Sequence, residues 1–348
     1  MKKLLLTFDY ELFLGKLSGR PEDCMIRPTE ALLAAMAPYE AKGLFFVDAT
    51  YLWHLAQQSE SYPQAAKDFN LIAAQIKAMV KEGHEIGLHL HPHWLDAHSF
   101  DEGRTWNLEN KRYYRFHKLS ETQRAEVFQG ALGILEKIVS EADPSARIRS
   151  YRGGGWSIQP FGDFAPFFEE AGIQLELSVR PGFASFTDAQ FYDFSQAPEA
   201  WCYRFSRDEC HPDPEGHFVE LPITSVEISP QARKRNNLRN RIAWKLLKER
   251  TYGQGIGTLP QVQANPPAPN GKLKPKTFEM AAIELLTRFT LPAYLCHFQA
   301  HPGMQFISHP KMITEHNLST FQKFLKKIHR SHPVNGNAVA LLSEAGKA

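Results

Sequence analysis

Cysteine is scarce: the 348 residues hold four, Cys24, Cys202, Cys210 and Cys296, and no pair has CxxC spacing. Free thiols are the simplest reading, and only Cys202 and Cys210 stand near enough in sequence to face each other across a loop. Long apolar runs are also missing, because no stretch approaches the roughly 20 residues that cross a bilayer. The start, Met1 to Leu6, has two lysines and a short apolar run, but Asp9 ends it before it reaches a signal-peptide core. A cytoplasmic location is therefore expected. Charge of one sign is absent too: the net charge is +2, which excludes a global nucleic-acid signature. There is no internal repeat. What remains is a chain with 43% hydrophobic and 22% charged residues, the balance of a soluble globular protein.

Short apolar or β-branched runs alternate with helical patterns. The candidate strands are 3–8, 44–48, 85–90, 148–152, 174–179, 218–223 and 293–298, seven in all. Helix-like segments lie near 29–42, 69–82, 121–141, 161–171 and 277–289. In 121–141, Val127, Ala131, Ile134, Leu135 and Ile138 recur at helical spacing, and Ser120 with Gln123 makes a capping box. Gly43, Gly83 and Gly172 follow their helices where a terminating glycine belongs. Such alternation predicts parallel strands with right-handed crossovers. The length suits a single α/β barrel over 1–348, with insertions near 90–118 and 195–275 and a helical extension over 310–348. Residues 253–276, rich in Gly, Pro, Asn and Lys, read as a mobile loop.

In parallel α/β folds chemistry gathers at the carboxyl ends of strands. Polar residues do cluster where these runs end: Asp9 and Glu11, Asp48, His89 with His91 and His93, Arg152, and His297 with His301. His89 and His93 are four apart, but Pro92 between them breaks a helix, so a strand end turning into a loop is the better reading. Four histidines within ten residues lift this segment above a chance pair. Imidazole suits zinc, and three protein ligands with an open position mark a catalytic site. Asp9 and Glu11 offer the third ligand. His84, at the start of its strand, is read as structural. His91 alternates with the ligands and is read as facing substrate.

These residues resemble a known family. Thr7-Phe8-Asp9-Tyr10-Glu11 resembles the first motif of the polysaccharide deacetylases (NodB homology, carbohydrate esterase family 4), in a form with Glu11 two places after Asp9. Gly83-His84-Glu85-Ile86-Gly87-Leu88-His89 through His93 resembles the second motif and is the most specific match. Tyr151-Arg152-Gly153-Gly154-Gly155-Trp156 is similar to the third, and Leu295 to Pro302 sits where the last is expected. The resemblance spans residues 1 to about 310 in order. It implies a distorted (β/α)7-type barrel and a metal-dependent hydrolase that removes N- or O-acetyl groups from a sugar of a polysaccharide or its precursor. It also implies roles: Asp9 as base, Arg152 orienting it, and His301 or His297 as acid. His301 is preferred, since it falls just past the run while His297 lies inside it. Glu11, His89 and His93 would hold the metal, zinc before cobalt, manganese or nickel. Relatives that act on formamides of lipid-linked sugars or on small amides, and a non-catalytic carbohydrate-binding relative, are the alternatives.

Trp156, Trp94, Trp106 and Tyr113 are candidate sugar-stacking residues, set against core packing. Gly154, within Gly153–Gly155, would permit close backbone approach to substrate. Residues 231–250 carry eight basic side chains against one acidic, interrupted by Ile242, Trp244, Leu246 and Leu247. A solvated helix face is the plain reading of that stretch. Contact with a membrane surface or a lipid-linked anionic sugar is the other. Oligomeric state leaves no trace in the sequence.

Overall fold

The computed structural model describes residues 2–187, 189–253 and 277–329, together with Ala338 and Leu342. Its strands are β1 (Lys3–Tyr10), β2 (Leu44–Asp48), β3 (Glu85–Leu90), β4 (Ser150–Gly153), β5 (Leu175–Glu176), β6 (Ala184–Phe186), β7 (Phe191–Asp193), β8 (Tyr203–Phe205), β9 (Phe218–Glu220), β10 (Ser225–Ile228), β11 (Thr277–Met280) and β12 (Gly303–Ser308). The α-helices are α1 (Arg27–Met36), α2 (Ala49–Gln58), α3 (Pro63–Lys81), α4 (Glu121–Ala142), α5 (Ala165–Ala171), α6 (Pro230–Lys245), α7 (Leu291–Ala300) and α8 (Glu315–His329).

Eight strands form one sheet in the order β12–β1–β2–β3–β4–β5–β9–β8. Seven run parallel, and β8 closes the edge antiparallel to β9. Among the described residues nothing pairs β8 with β12, so the sheet is an open, curled barrel. This is the expected α/β architecture. The two faces follow from the period-two alternation of a strand. In β1, Leu4, Leu6, Phe8 and Tyr10 join the large core beneath the helices, whereas Leu5 packs with Leu44, Phe46, Leu175, Leu177, Val219 and Leu221 on the inner face. Thr7 and Asp9 share the parity of Leu5, so they also face inward.

Six of the seven expected strands are present. The seventh differs: residues 293–298 belong to α7, and the parallel strand is β12. Pro292 lies in the first turn of α7, where a missing N–H removes no intrahelical bond. Residues 277–280 pair with β10 instead of starting a helix. The Ser120–Gln123 capping box forms as expected, and Gly83 (φ 81°) and Gly172 (φ 68°) take left-handed conformations behind α3 and α5. All four cysteines are free thiols. No helix among the described residues is long and apolar enough to cross a membrane. Residues 254–276, nearly all of the expected mobile loop, lie outside the described residues.

Candidate metal and catalytic centre

The register of the sheet assembles the site. Asp48, His89 and Arg152 lie side by side across β2, β3 and β4. Asp9 follows Phe8, which pairs with Ser308, so the residue after β12, His309, arrives beside Asp9. These positions cluster at the carboxyl ends of the strands, where a parallel sheet places its chemistry.

Asp9 and Arg152 form a buried pair, with Arg152 Nη1 2.6 Å from Asp9 Oδ1. Arg152 is fully enclosed. Its Nη2 donates to Thr7 Oγ1 (2.7 Å), its Nε donates to Leu177 O (3.0 Å), and its guanidinium lies over the Phe46 ring. A buried charge needs such saturation, because an unpaired one costs several kcal/mol, about 3–5 when a partner is removed. Burial pushes the Asp9 carboxyl up, but Arg152, His89 and His309 outweigh it and hold Asp9 below its ordinary value.

Glu11, His89 and His91 form a tight donor group. His91 Nε2 is 2.8 Å and His89 Nε2 3.4 Å from Glu11 Oε2. His89 Nδ1 lies 2.7 Å from Arg152 O. A carbonyl can only accept, so Nδ1 carries a proton, and Nε2, which faces Glu11, is the nitrogen left to ligate a cation. That is the arrangement in which a second partner fixes a ligating histidine. Burial opposes ionisation of Glu11, yet Lys311 and His91 hold its carboxyl well below the usual range. Lys311 donates its Nζ to Glu11 Oε1 (2.8 Å) and to Leu12 O (2.6 Å).

His93 was expected as a ligand and His91 as a substrate contact; in the structure it is His91 whose ring nitrogen stands with Glu11 and His89, and His93 lies outside that group. Pro92 opens a 3-10 turn, Pro92–Asp96, that carries His93 out of the donor group. His93 is buried and stacks on Tyr114 at 4.9 Å, and neither ring nitrogen has a hydrogen-bond partner. Burial holds it neutral, well below its ordinary pKa. Buried imidazoles are rarely left so. A mixed nitrogen and oxygen donor set, beside an unsatisfied imidazole 5.3 Å from His91, fits a divalent cation.

His301 and His297 are not in the site. They stack on each other at 3.9 Å where α7 ends, and His301 Nδ1 lies 2.9 Å from His297 O. Pro302 accepts from Lys3 N–H at the amino end of β1. Six residues of strand separate Lys3 from Asp9, about 20 Å at 3.3 Å per residue. His309 stands instead at the carboxyl end. Its Nε2 is 3.5 Å from Asp9 Oδ2 and 3.7 Å from Glu11 Oε1, and its Nδ1 is 3.0 Å from Glu284 Oε1. Burial lowers its pKa, but Glu284, Asp9 and Glu11 raise it above the ordinary value. With 17% of its side chain exposed, His309 is partly open to solvent. His309, Lys311 and Glu284 were absent from the expected set, although Met304 to Ser308 is a strand-like run ending in His309-Pro310.

Two other expectations change. Trp94 is buried, its Nε1–H donates to Asp48 Oδ2 (2.7 Å), and its ring stacks on Tyr51 at 4.4 Å, so no face is left for a sugar. Trp106 is likewise buried, against His54 and Tyr62. Asp48 is occupied by that indole, by Thr50 and by Tyr51 N–H at the start of α2. Gly154 contacts the site from behind. A Cβ there would collide with Leu90 O and lie 2.7 Å from His91 Nδ1, so glycine lets the turn after β4 pass close to His91. Trp156 and Tyr113 are half-buried, and Tyr114 covers His91 and His93.

No protein-family model matches the sequence, and no curated protein matches it. Solved structures do. One from Mycobacterium smegmatis, provisionally described as a polysaccharide deacetylase, is 14% identical over 99% of this chain and 91% of its own, with a TM-score of 0.46. An allantoinase is 12% identical over 95% and 85%, with a TM-score of 0.44. A CE4 family pseudoenzyme from Bacillus anthracis is 10% identical over 98% and 66%, with a TM-score of 0.40. At such identities and scores the likenesses assign no chemistry to this chain.

Proposed function

We propose that this chain is a metal-dependent hydrolase that removes an acyl group, N- or O-acetyl, from a sugar of a polysaccharide or its biosynthetic precursor. One observation carries the reading. A buried Asp9–Arg152 pair stands beside a nitrogen and oxygen donor group and a histidine fixed by a carboxylate. The motif resemblance supplies the substrate class.

Glu11, His89 and His91 would hold a divalent cation, with zinc the first choice and cobalt, manganese or nickel the others. Such an ion polarises an acyl carbonyl and lowers the pKa of bound water toward about 7. The remaining work belongs to the chain. Asp9 Oδ2, the oxygen not bonded to Arg152 Nη1, accepts the proton of the attacking water. Arg152 keeps Asp9 ionised and fixes its orientation. His309 Nε2 donates a proton to the leaving nitrogen or oxygen, and Glu284 orients the ring through Nδ1. Trp156, half-buried near the end of β4, offers a face for a sugar ring.

Acyl release from N-acetyl, N-formyl and O-acetyl sugars, with and without chelator, tests this. Chelator-sensitive release that disappears in Asp9→Asn, with metal content kept, is the expected result. A preference for N-formyl sugars or small amides would move the chain to the amidohydrolase alternative. Lys311 favours a further reading. Its ammonium already neutralises one oxygen of Glu11, which would weaken that carboxylate's hold on a cation, and a chain without the cation would be a non-catalytic carbohydrate-binding relative. Purified protein that carries no metal, releases no acyl group and still binds glycan would establish that reading.

A further inference from the structure

Each carboxylate of the centre already has a buried cation of its own. Asp9 has Arg152, and Glu11 has Lys311, whose side chain is 5% exposed. The two oxygens of Glu11 are divided between different partners. Oε2 faces His91 and His89, whereas Oε1 accepts from Lys311 Nζ at 2.8 Å. The ammonium gives a second hydrogen bond to Leu12 O (2.6 Å) and lies 5.0 Å from the centre of the Phe13 ring. Two segments set its place. Lys311 lies in a 3-10 turn, Pro310–Met312, just past β12 and His309. Gly253 N–H donates to Lys311 O (2.9 Å), and a Cβ on Gly253 would lie 2.8 Å from that oxygen and 3.0 Å from Lys311 Cβ. Glycine at that position lets the chain close over the lysine.

A buried carboxylate without a partner is costly, so a centre that waited for its ion would be destabilised while empty. Lys311 removes that cost. The same charge opposes a divalent cation beside Oε2, because both cations would share one carboxylate in a poorly screened interior. We propose that Lys311 is a positioning residue that stands in for the ion. It holds Glu11 in place in the metal-free chain, keeps Oε1 occupied, and lowers the affinity of the Glu11, His89 and His91 group so that the ion loads reversibly. The proposal rests on reading that group as a cation site, and it holds for any acyl substrate.

The test measures zinc affinity, by competition with a chromophoric chelator, and thermal melting of the metal-free full-length protein. K311Q keeps a donor for Glu11 and loses the charge, whereas K311M loses both. Both variants should bind zinc at least about tenfold more tightly than wild type. Metal-free K311M should melt below wild type, with K311Q between them, and saturating zinc should return much of that loss. If metal-free K311M does not fold at all, the zinc comparison rests on K311Q. A lysine that only braces the fold would lower stability and metal affinity together, so the opposite signs separate the two roles. Zinc affinity in K311Q equal to or weaker than that of wild type, or metal-free K311M that melts as wild type does, would overturn the proposal and leave the metal reading standing. Failure of both wild type and K311Q to bind zinc would overturn the two together.

Discussion

His309 and His301 bracket β12, and their difference in position decides which can act. The His301 ring hydrogen-bonds to His297 O in its own helix end, whereas His309 faces Asp9 and Glu11 with its ring held by Glu284. His309→Ala is expected to lower turnover by about 10²–10⁴, the usual range for a lost proton-transfer group. Exposed His301→Ala should stay within about twofold of wild type, since its loss touches no partner of the centre. Steady-state rates on an acylated sugar check both, and an inactive His301→Ala beside an active His309→Ala would reverse the assignment. The second residue-scale question is which histidine completes the donor group. His91→Ala should lose metal affinity, by about a hundredfold if it ligates as the geometry suggests, while His93→Ala should retain most of it. Metal content after dialysis gives the answer. The residue types of this centre were legible in the sequence: Asp9, Glu11, His89 and Arg152 come together where the strand ends predicted. The choice between His91 and His93 was not, because it depends on how the turn after Pro92 rotates two neighbouring rings, and spacing carries no such information.

At the scale of elements, the close passage of the turn after β4 behind the end of β3 holds the donor group in place. Gly154 is the contact point. A methyl there meets Leu90 O and His91 Nδ1, backbone and a ring already fixed by Glu11. Gly154→Ala should cost about 1–3 kcal/mol of stability through overpacking. It should also weaken metal binding by moving His91, whereas Gly162→Ala, which meets nothing nearby, should do neither. Thermal melts with and without added zinc would show it, and a Gly154→Ala protein that melts and binds as wild type does would refute the account. Elements with strong local signals were legible: the capping box of α4, the glycines behind α3 and α5, and six strands of the barrel. The swap of α7 for β12 arose because a short apolar run has no decisive period. Pro292 ahead of that run was the signal for a helix start, and once 293–298 is helical the next apolar run, ending in His309, becomes the strand.

Across the whole molecule, buried carboxylates on opposite sides of the sheet pull stability in opposite directions with pH. Asp9 and Glu11 are held low, so they contribute stability that is present above their unfolded pKa, near 4, and is lost as pH falls through the folded value. Glu176 and Glu220 lie in register across β5 and β9, beside Leu175 and Val219, which face the barrel interior. They therefore point the other way, into the outer layer, and both are fully enclosed. Ser178 donates its N–H and its hydroxyl to Glu176, and the carboxyl of Glu220 lies within hydrogen-bond reach of the same Glu176. Burial, then the neighbouring Glu176 and Glu209, raise Glu220 well above its ordinary value, and burial lifts Glu209 to about 7. The folded chain thus keeps protons that the unfolded chain releases above about pH 4.3. The stabilisation linked to those protons is complete below that pH and drains away as pH rises through the folded values. Glu220→Gln removes one such proton and places an amide donor against Glu176. Its melting temperature should exceed wild type by several degrees at pH 8 and match it near pH 4, with metal content unchanged. A variant that melts below wild type at pH 8 would mean that the Glu220 carboxylate has a cationic partner, and that the outer layer is not the alkaline weak point of this fold.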